Sequence, residues 1–86
     1  MPSHTAVEEA VIEVLKNVSR RPIEPTPTSD LVSDLGFDSL QVVEAIAELE
    51  GRFDITIELT EATDIRTVAQ IAARIAGLLS APEISL

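Results

Sequence analysis

The sequence predicts an all-α fold: a small bundle of three main helices plus one short helix, with a long loop between the first and second helices. Three observations predict it. Apolar residues recur at helical spacing in three separate segments, and a capping pattern stands at the start of each. Ala, Val, Leu, Ile and Glu are abundant, the composition of helices packed on helices. The 86 residues leave room for one domain, 1–86, with frayed tails expected at about 1–4 and 80–86. There is no Cys, and His4 is the only histidine, so a disulfide framework is excluded and no metal site is expected. Phe37 and Phe53 are the only aromatic residues, and the core must therefore be aliphatic.

The first helix is expected from Thr5 to Val18. Val7, Val11, Val14 and Val18 form its stripe, flanked by Ala10 and Leu15, and Thr5 with Glu8 reads as a capping box. Arg20 to Asp38 differs, because Pro22, Pro25 and Pro27 forbid a regular helix through its first half. Ile23, Leu31, Val32 and Leu35 are expected to anchor this loop across the bundle. Ser29-Asp30 is placed to cap a short turn over 31–35, and Gly36 permits a sharp change of direction.

The second helix is expected from Ser39 to about Arg52. Asp38 is a good N-cap, Gln41 completes a capping box, and Phe37 with Val42 matches a hydrophobic staple. At 100° per residue, Val42, Ala45, Ile46, Leu49 and Phe53 face the core. Leu40, Glu44, Ala47, Glu48 and Gly51 fall opposite, with Val43 and Glu50 on the flank. A short helical turn is expected at Thr60 to Thr63. Thr67 with Gln70 starts the last helix, whose stripe is Val68, Ile71, Ala72, Ile75 and Leu79, and Pro82 stops it.

Charge narrows the function. Fifteen acids against six bases give a net charge of −9. Nucleic acid is excluded as a partner, because phosphate contacts need Lys and Arg, and an anionic membrane surface is disfavoured for the same reason. No run of about 18 apolar residues exists to span a bilayer. Glu8, Glu9 and Glu13 do not suit a signal peptide, so a cytoplasmic location is expected; the short tails suggest a free-standing monomer, with a module trimmed from a larger synthase as the alternative. Its partners should carry basic patches.

The second helix also carries the candidate chemistry. Leu40 points to water beside Ser39 and above Glu44 and Glu48, an apolar anchor with an acidic border. Ser39 lies in the first turn, where unpaired N–H groups and the helix dipole favour an attached anion by roughly 0.3–1 kcal/mol. Taken alone it is a helix-start serine. As a nucleophile it lacks a base and an oxyanion hole: His4 is far off near a terminus, and G-x-S-x-G is absent.

The stretch Asp34-Leu35-Gly36-Phe37-Asp38-Ser39-Leu40 resembles the attachment motif of acyl carrier proteins, D-L-G-x-D-S-L. The resemblance continues through Val43, Glu44, Leu49, Glu50, Phe53, Asp54 and Ile57, and resumes at Ile65, Thr67 and Val68. It implies an acyl-carrier-like bundle and a non-catalytic carrier. By the same resemblance, a phosphopantetheinyl transferase attaches 4′-phosphopantetheine to Ser39, with Asp38 and Leu40 helping it recognise the site. The arm then holds cargo as a thioester, which fits a chain without cysteine. Val43, Glu44, Ala47 and Glu48 would meet basic docking patches on acyl-loading and acyl-modifying enzymes. Val42, Ile46, Leu49 and Ile65 have two roles open to them, lining a cleft for aliphatic cargo or, more simply, packing the core.

The departures bear on cargo. Many fatty-acid carriers have an acid where this chain has Gln41, a longer anchor where it has Ala47, and acids where it has Gly51 and Arg52. Phe37 is more like carriers of polyketide or other specialised pathways, and Asp64 to Val68 is similar to aminoacyl and peptidyl carriers. An unmodified acidic helical adaptor is the remaining alternative.

Overall fold

A computed structural model describes residues 4–58 and 65–80. Among these residues three helices stand: α1 (His4–Val18), α2 (Ser39–Phe53) and α3 (Val68–Ser80). The short turn expected at Thr60 to Thr63 lies outside the described residues. So do 1–3 and 81–86, most of the expected tails, while His4 and Ser80 are helical. Among the described residues no helix is long and apolar enough to cross a membrane.

The predicted stripes meet in one aliphatic core. Val7, Val11, Val14 and Leu15 of α1 are buried with Ala45, Ile46 and Leu49 of α2 and Val68, Ile71, Ala72 and Ile75 of α3. Val42 and Phe53 pack against this cluster half-buried, as do Val18 and Leu79. Ile46, Leu49 and Ile65 are buried core members, so packing is the role the structure shows for them. Arg52 and Glu13 pair at 3.0 Å between α2 and α1, but both are exposed, and such pairs contribute little.

Helix α1 begins at His4, so Thr5 lies inside its first turn and is not the cap the sequence suggested. The later helices start as predicted. The Gln70 N–H donates to Thr67 Oγ1 at 3.2 Å, and Gln70 Oε1 accepts the N–H groups of Thr67 and Arg66.

The long loop is pinned to the start of α3. The Leu31 N–H donates to the Arg66 carbonyl at 2.8 Å and the Val68 N–H to the Ser29 carbonyl at 3.3 Å, an isolated antiparallel bridge of Asp30 with Thr67. Within the loop Asp30 caps the turn over 31–35. Its Oδ1 accepts the N–H groups of Val32 and Ser33, each at 2.9 Å, while Asp34 Oδ2 accepts the Asp30 N–H at 2.7 Å. Leu31 and Leu35 are buried and Ile23 half-buried, as anchors should be. Val32 is not an anchor. It is 60% exposed, because in a helical turn residues 31 and 35 share a face and residue 32 is rotated off it.

The Ser33 N–H bond, aided by the Val32 N–H, the Ser33 hydroxyl and Arg66 beside it, outweighs partial desolvation and holds the Asp30 pKa below its usual value. A depressed folded pKa stabilises the fold above the unfolded value, about 3.9, and that contribution is lost as pH falls through the folded value. The urea midpoint of Asp30→Asn should therefore lie below wild type at pH 7, with the gap closing below about pH 4. An equal gap at pH 7 and pH 2 would contradict this account of the turn.

Candidate functional site

The turn over 31–35 ends at Gly36, whose φ of 72° suits glycine. Its N–H donates to the Val32 carbonyl at 3.1 Å, and the next N–H, from Phe37, returns to the Leu31 carbonyl at 2.9 Å. A side chain at Gly36 would also collide with the Arg21 guanidinium, which donates to the Leu35 carbonyl at 3.4 Å. The reversal drives Phe37 into the core, where it is 3% exposed. The buried ring fixes where the next helix must start.

Asp38 is extended (φ −94°, ψ 178°) and caps α2. Its Oδ1 accepts the Gln41 N–H at 2.8 Å, and Gln41 Oε1 accepts the Asp38 N–H at 3.2 Å. This reciprocal box is worth about 1 kcal/mol for the cap residue alone. Gln41 is buried by the arrangement, at 9% exposure, with its Oε1 on the Asp38 N–H. Ser39 follows as the first helical residue. It is exposed, and its hydroxyl makes no hydrogen bond within the described residues. The cap uses only the Gln41 N–H, so the dipole's positive end at Ser39 and Leu40 is not occupied by a side chain.

The face after Ser39 is as the helical angles predicted. Leu40 is 58% exposed and Val43 50%, and Glu44, Ala47 and Glu48 are all exposed beside them. Two features of α2 were not foreseen. Glu50 Oε2 accepts the Ile57 N–H at 2.8 Å, holding the segment that follows the helix. Asp54 closes α2 in the left-handed conformation, at φ 53°, with its N–H on the Glu50 carbonyl. An Asp after an amphipathic helix was the only local signal for that cap.

Fold and site define a small helical domain that presents one serine, free of internal bonds, at the positive end of a helix. A family model described as the phosphopantetheine attachment site matches residues 7–75. An acyl carrier protein of Exiguobacterium sp. is 46% identical over 70 residues, covering 80% of this chain and 84% of that one. One from Streptomyces coelicolor is 36% identical and covers 95% of each chain. Among solved structures, a candidate acyl carrier protein from Mycobacterium tuberculosis superposes with a TM-score of 0.77 at 39% identity, covering 83% of this chain and 96% of that one. The chain belongs to the acyl carrier protein family. Phosphopantetheine is accordingly its cofactor, and it is a carrier and not an enzyme, acting with a phosphopantetheinyl transferase and acyl-processing enzymes. The residues fit the group: an exposed hydroxyl with no competing bond can be esterified, and the helix end tolerates the phosphodiester's charge.

Proposed function

We propose that the Ser39 hydroxyl is where 4′-phosphopantetheine joins the chain, and that the domain over 1–86 works as a monomer passing acyl cargo between enzymes. The supporting observation is the exposed, unbonded hydroxyl in the first turn of α2, inside the Asp34–Leu40 motif. In the joining step the Ser39 oxygen attacks the phosphorus next to pantetheine in coenzyme A. The bond to the adenosine 3′,5′-bisphosphate leaving group breaks, and the hydroxyl proton passes to a base on the transferase. Once attached, the arm supplies a terminal thiol on which acyl cargo is held as a thioester.

This chain's own residues then recognise and orient. Asp38 fixes the helix start through its bond to the Gln41 N–H, and with Leu40 it is what the transferase reads. Val43, Glu44, Ala47 and Glu48 form the docking face for partners with basic patches, all four being exposed on one side of α2. The reading includes a cytoplasmic setting, where coenzyme A is at hand as donor. The cargo is acyl, of fatty-acid or polyketide type, and the neutral Gln41, Ala47 and Gly51 favour a specialised pathway. Mass spectrometry of the protein isolated from its native host tests this reading. We expect one phosphopantetheine adduct bearing an acyl group; an aminoacyl mass would move the chain to aminoacyl carriers, and bare protein would contradict the carrier reading.

A further inference from the structure

Three large apolar side chains are exposed among the described residues: Val32, Leu40 and Val43. Leu40 and Val43 follow Ser39 on α2. Val32 comes from a different element, the capped turn of the long loop, where burial was expected. The Phe37 N–H lies 2.9 Å from the Leu31 carbonyl oxygen, and standard peptide dimensions then put the Cα atoms of Val32 and Phe37 within about 7 Å of each other. Phe37 is two residues from Ser39. An ordinary protein–protein footprint, about 800 Å² per partner, is roughly 30 Å across, so one centred on Ser39 reaches Val32.

The charge along this stretch of chain is of one sign, with Arg66 pairing with Asp30 and Arg21 reaching the Leu35 carbonyl from other elements. From 30 to 51 the chain holds six acids (Asp30, Asp34, Asp38, Glu44, Glu48 and Glu50) and no Lys or Arg. Asp34, Asp38, Glu44 and Glu48 are exposed. An enzyme that binds coenzyme A must neutralise a diphosphate and a 3′-phosphate, so the rim of its site is cationic. An acidic surface with exposed apolar anchors near the target hydroxyl complements such a rim.

The geometry points to Val32 as a second apolar anchor for the phosphopantetheinyl transferase, within one footprint of Ser39 and Leu40, so that the enzyme grips the loop turn as well as α2. This rests on the reading of Ser39 above and adds a specificity-determining contact to it. Because Val32 is exposed, its truncation should leave the fold intact.

The test is the rate at which a purified promiscuous transferase, supplied with coenzyme A, modifies the full chain, read by intact mass. Val32→Ala should lower kcat/KM about threefold to fivefold and Val32→Asp about tenfold, through KM more than kcat. Thr5→Asp makes the same charge change in the first turn of α1, outside the proposed contact, and should match wild type. Melting curves of all variants should coincide; if Val32→Asp does not fold, Val32→Ala alone decides. Wild-type rates for Val32→Ala and Val32→Asp, with wild type itself modified, would overturn the Val32 contact and leave Ser39 in place. No adduct on wild type would overturn the Ser39 reading and this inference together.

Discussion

Replacing Ser39 with Ala abolishes attachment of the arm while leaving the helical circular dichroism spectrum at wild-type level. The expectation combines position and bonding. Ser39 is the first residue of α2 and not its cap, so Asp38 and Gln41 keep their reciprocal bonds in the variant. The lost hydroxyl has no partner among the described residues, and Ala is the better helix former, so stability should stay within about 0.5 kcal/mol of wild type. Modification falls to zero because the acceptor oxygen is gone. A variant that unfolds would show that the serine serves the structure, and a variant that still gains the adduct would place the attachment elsewhere.

The second large effect comes from reversing charge on α2. Glu44 and Glu48 are exposed one turn apart, on the side of the helix that carries Leu40, and neither forms an ion pair among the described residues. Glu44→Lys with Glu48→Lys changes the local charge by four units without touching the core. Partner enzymes with basic patches should then act about tenfold or more slowly at low ionic strength, mostly through slower encounter. The deficit should shrink toward 0.5 M salt, where the screening length falls to about 4 Å. Equal rates for both proteins at low salt would remove electrostatic steering from the account.

What the sequence disclosed followed from how local the physics is. The Asp38–Gln41 and Thr67–Gln70 boxes involve residues three apart, and both stand in the structure. The outward placement of Leu40, Glu44 and Glu48 follows from helical angle alone, and so does the burial of Ala45, Ile46 and Leu49. Thr5 lies one residue inside the helix instead of capping it, since His4 extends α1 in front of the Thr5–Glu8 pattern. Val32 was misjudged because the loop has no periodicity to read. Its exposure depends on the helical turn that Asp30 caps and on the bridge to α3, a contact from far along the chain. Glu50 was missed for a related reason. Its bond to the Ile57 N–H exists only because Asp54 turns the chain back in a left-handed conformation, which an ordinary Asp does not announce.

The candidate site was legible to the same degree. Helical geometry alone gave an exposed serine at a dipole's positive end, and the motif around it supplied the chemical meaning. The loop's contribution became visible only in three dimensions, where the Phe37 N–H closes onto Leu31 and brings Val32 toward the start of α2.

The most direct measurement is fragment-ion mapping of the wild-type chain after reaction with coenzyme A and a phosphopantetheinyl transferase. One adduct of a single phosphopantetheine, located on Ser39, is the predicted result. An adduct on any of the other six serines, or none under conditions that load a control carrier, would contradict the account.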